Sequence, residues 1–576
     1  MYNFYGIIDK NFAKKCNYET EIKTVLKNSI ENNPVYQNFH FNNDFGLYLG
    51  IVSSEKLDSD ATPQIYTSKD KKYVILFCGK IYNCNELKSS FLKNINIPKN
   101  TTSEILLNLY FTMGIDFVKN LDGKFSFCII DCVEKKVFLV RDRLGIKPLY
   151  YCEFGDLICF FSSLKIMPHF INKNLENKAL FLYFKLRYIP APYTIYQNIF
   201  KLKAGELVCF SLDIQPQHKQ YYPYNNIFKT NEFNLEEFKC ILTDAIFSTF
   251  KEHSGPSGLF LSGGIDSGII ATILGNRIKT FSLEYCENST NSEYPIVDEI
   301  VQELHLNANV KVVPDDIQSA INNMIQLIDE PVYSSVLLGT YTLSKVSSKY
   351  VKNIFTGDGS DELVFGYKYL RDSLKEKDVY NSYTSAVGWL KFSETKDWLF
   401  STPFSDEEFM HFLFDDCIVD GNVAETLRRF ELFKRFPDYH MTRLNALTVF
   451  SENDIAIPFL RNAYCNHVLS LDRDIFLKND DVKLVLKNAF CDSLPNALFT
   501  TTKKPFYAPI KDWIEKDLKS DVMFLFNNKP LIEKMQLNYY KVLDLLNNYT
   551  GDYADVSNVW GIYMLLKWGY LNINNV

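Results

Sequence analysis

The chain has 576 residues, 47% of them apolar and 23% charged, with a formal net charge of −7. That length exceeds a single hydrophobic core, so two or three domains are expected. The charge is spread along the chain, which provides no basic face for nucleic acid. No window approaches ~18 uninterrupted apolar residues, which excludes a membrane-spanning helix.

Residues 1–215 read as a strand-rich domain. Short apolar runs, Phe45–Val52, Tyr73–Phe77, Phe125–Ile130 and Lys136–Val140, alternate with charged or glycine-containing turns. Helical patterns at Glu104–Phe111 and Asn177–Phe184 interleave with them, so an α+β or layered sandwich is expected. The polar, aromatic stretch Ile214–Asn231 reads as a linker. A second domain, residues 232–576, opens with a helix over Leu235–Glu252, whose apolar residues recur at helical spacing. Strands at Gly258–Leu261, Thr280–Leu283, Ala308–Val313 and Asn353–Thr356 then alternate with helices at Gly268–Leu274, Ile296–Leu304 and Ala320–Ile328. Such alternation implies a parallel sheet covered by helices on both faces. Beyond about residue 370 the pattern is mostly helical, and Tyr380–Asp420 reads as helical core with Trp389 and Trp398 buried. The 13 Cys are scattered without a Cys-x-x-Cys pair. That usage fits reduced thiols in a cytoplasmic protein. Asp9, Lys10, Lys14 and Lys15 interrupt the N-terminus, where no cleavable apolar segment is present.

Chemistry concentrates in four places. Leu261-Ser262-Gly263-Gly264-Ile265-Asp266-Ser267 follows an apolar strand and opens a helix. Adjacent glycines and a helix start turn backbone N–H groups toward one point, which suits phosphate or pyrophosphate. Asp266 stands where a carboxylate would hold Mg²⁺ against those phosphates. The alternative is a tight strand-to-helix connection without a ligand. Thr356-Gly357-Asp358-Gly359-Ser360-Asp361-Glu362 follows a second short strand. Loops at the carboxyl ends of parallel strands share a crevice, so Asp266 and Asp361 are expected to meet over one ligand; alone, the segment reads equally as an Asp/Gly turn. Asp329-Glu330-Pro331 closes a helix and by itself reads as a solvated helix end. Lys503-Lys504-Pro505-Phe506, followed by Tyr507 and Trp513, is either a surface lysine pair or a lysine directed into a pocket, where it would stabilise developing negative charge.

In this order, SGGIDS, DEP, GDGSDE and KKPF resemble the synthetase half of the glutamine-dependent asparagine synthetase family. The N-terminal segments Met1–Gly6, Leu49–Val52, Gly79–Asn83, Leu121–Phe125 and Arg141–Tyr151 resemble its glutaminase half. The resemblance covers most of residues 1–515. It implies an Ntn-hydrolase-like αββα sandwich followed by a Rossmann-like parallel-sheet ATP pyrophosphatase domain with a helical C-terminal part. It also implies ATP and Mg²⁺: a carboxylate attacks the α-phosphate, pyrophosphate leaves, and an amine displaces AMP. By resemblance, Ser262, Gly263, Gly264, Asp266 and Ser267 take the pyrophosphate. Leu261, Ser282 and Leu283 line the adenosine, with Gly357 and Gly359 near it. Asp266 and Asp361 hold the metal, and Lys503, Asp358 and Glu362 serve the chemistry.

The chain departs from the family at the glutaminase. The resemblance implies a Cys nucleophile at position 2, where this chain has Tyr2, and a phenol cannot replace a thiolate in attacking an amide. The positions that clamp glutamine carry Tyr48, Cys78, Lys80 and Thr102 instead of the family's residues, while Phe4 and Gly6 keep the spacing. Arg141–Tyr151 then reads as structural. The family's Arg before Val-Pro-Phe-Leu is Ala456, which argues against aspartate as the acceptor. β-Lactam synthetases, carbapenam synthetases and lasso-peptide cyclases are similar in pairing an intact adenylating site with a lost glutaminase. The β-lactam enzymes have Tyr where this chain has Asp358. The expected function is an AMP-forming amide ligase acting on a small-molecule or peptide carboxylate with an amine supplied directly. Alternatives are ammonia-dependent asparagine formation and a nucleotide-binding scaffold. A homodimer or an accessory pathway protein is the expected kind of partner.

Overall fold

Pairing of alternating apolar runs organises the first of two units, which comprises Met1–Asn174 and Pro190–Tyr224; the second comprises Leu175–Ile189 and Asn225–Val576. The computed structural model describes residues 2–13, 17–29, 36–53, 64–211, 214–222, 232–285, 292–307, 309–450, 453–478, 481–500 and 508–573.

The strands of the first unit, in chain order, are β1 (Tyr2–Asp9), β2 (Tyr36–Asn42), β3 (Leu47–Ser53), β4 (Gln64–Thr67), β5 (Tyr73–Ile81), β6 (Gly123–Asp131), β7 (Lys136–Arg141), β8 (Tyr150–Phe154), β9 (Leu157–Phe161), β10 (Phe200–Lys201), β11 (Glu206–Ser211) and β12 (Ile214–Gln220). They form two antiparallel six-stranded sheets, β10-β8-β9-β1-β3-β2 and β12-β11-β7-β6-β5-β4. The period-2 alternation of a strand decides which face each side chain takes. Val74, Leu76 and Cys78 of β5 enter the core between the sheets, together with Phe4, Leu49 and Cys128. Ile75 and Phe77 face the opposite way, against Leu106 and Leu109 of the helix Thr102–Met113. The helix Glu19–Asn28 covers the other sheet, close enough that a Cβ on Gly50 would come within 2.5 Å of Leu26. The result is an αββα sandwich. Each fully buried Leu, Ile or Phe contributes about 1.5–3 kcal/mol.

Arg141–Tyr151 supplies the internal framework of this unit. Buried Asp142 accepts N–H groups of Phe125, Leu144, Ile146 and Lys147 at 2.8–3.2 Å. The Arg141 guanidinium donates to the carbonyls of Lys147, Gly145 and Leu202. Two buried polar side chains that spend their hydrogen bonds on the backbone in this way fix a loop that would otherwise carry orphan backbone groups.

The reading of Ile214–Asn231 as a linker is corrected at its start. Ile214–Gln220 is β12, paired with β11. It is polar because it is an exposed edge strand, with no apolar face to bury.

The second unit has a five-stranded parallel sheet of β13 (Ser257–Phe260), β14 (Lys279–Leu283), β15 (Asn309–Val312), β16 (Asn353–Phe355) and β17 (Asp454–Ala456) in the order β15-β14-β13-β16-β17. From β13 the chain builds outward through β14 and β15, then crosses back to lay β16 on the other side. That reversal opens a crevice at the carboxyl ends of β13 and β16. The helix Leu235–Glu252 precedes β13, and the chain beyond residue 370 is helical apart from β17, among the described residues. Residues 175–189 pack with this unit: Tyr183 donates to the Gly561 carbonyl at 2.8 Å, and Phe184 stacks on Trp389 at 4.9 Å. None of the helices built from described residues is long and apolar enough to cross a membrane.

Candidate active site

The loop after β13 folds on its own hydroxyls. Ser267 Oγ lies 3.1 Å from Ser262 Oγ, and Ser262 Oγ accepts the Gly264 N–H at 3.2 Å. Gly264 precedes the ten-residue helix Ile265–Leu274 with no side-chain cap, so the first N–H groups of that helix keep their positive end uncovered. Nothing but the Ser262 hydroxyl would approach a Cβ on Gly264 within 4 Å, so packing alone does not demand glycine there. The N–H groups of the first turn of Ile265–Leu274, which no side chain caps, are what a phosphate oxygen fits.

The loop after β16 lies alongside. A Cβ on Gly357 would come within 2.8 Å of the Asp266 Cβ, so glycine allows the two loops to touch. Gly359 has φ +87°, a conformation that suits glycine, and its next residues form the short helix Ser360–Leu363. The two loops enclose a cavity of about 290 Å³ lined by Leu261, Ser262, Asp266, Ser267, Leu283, Gly357, Asp358, Gly359, Asp361 and Glu362, with Thr340, Tyr367 and Arg443 among further walls.

Asp266 and Asp361 converge. Lys483 Nζ stands 2.5 Å from Asp266 Oδ2 and 2.5 Å from Asp361 Oδ1. Two carboxylates that reach one cation at once can also hold a divalent ion that keeps its remaining positions for phosphate and water. The buried Asp266 Oδ1 has no hydrogen-bond partner, which leaves an acceptor for such an ion. The residues therefore fit Mg²⁺. Lys483 itself is buried and held at φ 64°, ψ 23°, a left-handed conformation that costs a non-glycine residue about 1–2 kcal/mol.

Glu362 is buried and accepts the Tyr367 hydroxyl at 2.6 Å, with His440 Nε2 at 3.7 Å. Burial, reinforced by the Asp361 carboxylate, pushes its carboxyl up to about 8. Burial and the neighbouring Arg435 and Arg443 hold His440 well below the usual imidazole range, hence neutral. Asp358 receives Arg443 Nη2 at 2.9 Å. Arg443 lies on the helix Met441–Phe450, which continues from wide π-helical turns over Glu431–His440 that contain Pro437. In those turns Glu431 accepts the hydroxyls of Tyr369 and Tyr383 and the guanidinium of Arg435.

The cavity walls do not include every residue expected at the site, and one helix-end reading changes. Ser282 does not line the cavity: its buried hydroxyl donates to the Leu261 carbonyl at 2.8 Å and reaches Asn309 Oδ1 at 3.0 Å, tying β14 to the loop. Gly263 and Gly264 shape the loop without forming the cavity wall. Glu330 is buried rather than solvated. Lys503, with Lys504 to Tyr507, lies outside the described residues. Of the positions where the resemblance places glutaminase residues, Tyr2 begins β1, Tyr48 is buried in β3, and Cys78 packs between the sheets. Lys80 stands opposite Lys124 on β6, and Thr102 opens its helix. Lys483, Arg443 and Tyr367 were not anticipated. Tyr367 follows the Asp358–Glu362 loop closely and reaches Glu362 from five residues on, whereas Lys483 and Arg443 reach the site from elements distant in the chain.

The profile of the asparagine synthase family matches residues 239–569, more than half of the chain, and that of the glutamine amidotransferase domain matches residues 4–222. The chain belongs to the asparagine synthase family. That family consists of ATP-dependent carbon–nitrogen ligases. A Methanocaldococcus jannaschii protein designated putative asparagine synthetase (glutamine-hydrolyzing) 2 is 35% identical over 308 residues, 51% of this chain, which spans 59% of that relative's length. Asparagine synthetase (glutamine-hydrolyzing) 1 of Bacillus subtilis is 23% identical and aligns over 100% of this chain and 97% of its own. The probable asparagine synthetase of Acanthamoeba polyphaga mimivirus is 25% identical over 80% of this chain and 77% of its own length.

Proposed function

We propose that the protein is an AMP-forming amide-bond synthetase that activates a carboxylate with ATP and joins it to an amine supplied directly rather than released from glutamine. The observation that carries this reading is the contrast between its two halves. Asp266 and Asp361 converge beside the glycine loop, while position 2, where the family's resemblance puts a thiol nucleophile, is Tyr.

The chain's own groups divide the work. The uncovered N–H groups at the start of Ile265–Leu274 and the Ser262 and Ser267 hydroxyls bind the phosphates. Mg²⁺, when bound by Asp266 and Asp361, neutralises phosphate charge. A carboxylate oxygen of the substrate forms a bond to the α-phosphorus as the bond to pyrophosphate breaks. The amine nitrogen then bonds to the acyl carbon as AMP leaves, and the proton it sheds passes to a carboxylate, for which Asp358 is placed in the cavity wall. The walls keep water from the acyl-adenylate, which it would hydrolyse. Lys503 is proposed to stabilise the acyl-adenylate. Cyclisation of a peptide or other natural product would dispense with glutamine in the same way.

Incorporation of labelled pyrophosphate into ATP, driven by a carboxylate and lost in Asp361→Ala, is the expected result. Release of ammonia from glutamine by the purified protein would overturn the direct-amine reading. The relatives are named asparagine synthetases (glutamine-hydrolyzing), which favours asparagine as the product; with Tyr2 in place of a thiol, the second reading is ammonia-dependent asparagine synthesis, and Ala456 speaks against it. Formation of asparagine from aspartate, ATP and ammonium would decide for it.

A further inference from the structure

We propose that Arg371 is a positioning residue for divalent-cation binding: it fixes the backbone from which Lys483 reaches Asp266 and Asp361, and Lys483 so placed keeps that pair from taking a cation before nucleotide arrives. The inference rests on the ligase reading above only for the use to which the cation is put.

Two residues in an unfavourable backbone conformation are the starting point. Lys483 has φ 64° and Phe365 has φ 53°, both left-handed in a residue with a side chain. Such conformations persist where the surroundings over-determine them. The guanidinium of Arg371, buried on the helix Lys368–Ser373, joins the two segments. Its Nε donates to the Phe365 carbonyl at 3.1 Å, its Nη1 to the Asp481 carbonyl at 3.3 Å, and its Nη2 to the Phe476 carbonyl. A rigid planar fork holds three carbonyls in a fixed geometry, which an ammonium on a flexible stem does not.

From Asp481 the contacts run on to Lys483. The Asp481 carboxylate accepts Lys487 Nζ at 2.8 and 3.0 Å, and the Lys487 N–H donates to the Lys483 carbonyl at 3.0 Å. From Phe365 they run to Asp361: the next residue, Gly366, donates its N–H to the Asp361 carbonyl at 2.9 Å. A Cβ on Gly366 would collide with Asp361 Oδ1 and come within 2.5 Å of Lys483 Cε, so glycine lets the lysine stem pass beside the acid. Arg371 thus ties the segment that carries the ammonium to the segment that carries one of its two acids. It does so from outside the cavity walls.

The ammonium so placed decides what the two acids can bind. Asp266 and Asp361 line the cavity, and Lys483, only 5% exposed, is not among its walls. Its ammonium stands 2.5 Å from an oxygen of each acid. Two carboxylates with one ammonium against them keep a single net negative charge. A divalent cation that enters meets a like charge that little solvent screens. Mg²⁺ gives up its water reluctantly and is held by one or two carboxylates together with substrate phosphates. With the lysine in place the empty cavity is therefore a poor cation site, and a polyphosphate brings the missing negative charge. Cation binding is coupled in this way to nucleotide binding.

The test uses the full chain. Binding of Mn²⁺, followed as loss of the free-ion EPR signal, and of Mg²⁺, by calorimetry, is measured with and without a non-hydrolysable ATP analogue. The proteins are wild type, Arg371→Gln, Lys483→Met and the double variant. Wild type should bind either cation weakly alone and about 10-fold or more tighter with the analogue. Without nucleotide, Lys483→Met should bind ~10–100-fold tighter than wild type, the range of a charge-assisted hydrogen bond. Arg371→Gln should shift the affinity in the same direction by a smaller factor, and should add nothing in the Lys483→Met background. A merely structural loosening would instead weaken cation binding, in both backgrounds alike. Lys483→Met binding no tighter than wild type, or Arg371→Gln acting equally in both backgrounds, would overturn the inference; pyrophosphate exchange by the same wild-type protein would leave the ligase reading intact. The expected affinities without pyrophosphate exchange for any carboxylate would support the inference and remove the ligase reading. If Arg371→Gln does not fold, Arg371→Lys, which keeps the charge and loses the fork, carries the same expectations.

Discussion

Replacing Lys483 by Met should unmask the electrostatic tension on which the site is built. Its ammonium is the cation between Asp266 and Asp361, at 2.5 Å from each, and the three side chains are 5%, 10% and 17% exposed. Removing one partner of a buried ion pair costs about 3–5 kcal/mol, because the remaining charge is left uncompensated. Here two carboxylates are left facing each other, which pushes the cost up, while solvent at Asp361 screens it. The net expectation is about 3 kcal/mol. At ~2 °C per kcal/mol for a large unit, the melting transition of the second unit falls by about 6 °C in a metal-free buffer. Millimolar Mg²⁺ should restore much of this in Lys483→Met and do less for the wild type, because the ion takes over the charge that the lysine supplied. Lys483→Gly removes the same charge but also relieves the left-handed backbone at φ 64°, so it should melt above Lys483→Met by the equivalent of about 1 kcal/mol. Scanning calorimetry with and without Mg²⁺ reads all three. Lys483→Met melting at the wild-type temperature, or Mg²⁺ raising both proteins equally, would refute the argument that Lys483 compensates the two acids.

Three other outcomes follow from the same geometry. Gly357→Ala puts a Cβ within 2.8 Å of the Asp266 Cβ and within 3.2 Å of the Ser267 N–H nitrogen; pyrophosphate exchange should fall by ~10-fold or more with a melting shift no larger than that of an ordinary loop substitution. Glu362→Gln tests the carboxyl raised to about 8. The folded protein keeps that proton where the unfolded chain has released it, so the wild type loses stability as pH rises from 4.5 to about 8. The variant should match the wild type near the lower value and exceed it increasingly toward the upper, and a pH-independent difference in denaturant midpoints would contradict this. Arg428→Met breaks the buried pair with Glu425, made through contacts of 2.7 and 3.1 Å. It should cost about 3–5 kcal/mol in urea unfolding, with most recovered in the double variant that also removes Glu425.

What could be read in the sequence was what the backbone dictates locally. The helix Leu235–Glu252 has the bounds that its spacing implies, because a single apolar stripe and an Asn234 cap act within the segment itself. The strands around Ser262 and Gly357 were legible for a related reason: a parallel strand buried on both faces must be a short apolar run, and the loop that follows it must turn at once. β17 was missed because its three residues, Asp454–Ala456, carry no periodicity of their own and form a strand only by pairing with β16. β12 was read as a linker because an edge strand exposed on nearly every residue has no hydrophobic pattern to display.

The site divides along the same line. Asp266 and Asp361 announce themselves because each must follow a strand and sit in a glycine turn. Lys483 and Arg443 carry no such constraint. A lysine 217 residues from Asp266, or an arginine 85 residues from Asp358, meets its partner only once the helices are packed. Their traces in the chain are of another kind: a non-glycine residue held left-handed at Lys483, and a run of π-helical turns that contains Pro437 immediately before the helix of Arg443. Each of these is locally unfavourable, and each is sustained by the surrounding packing. In this chain the turns common to the family are where phosphate is expected to bind.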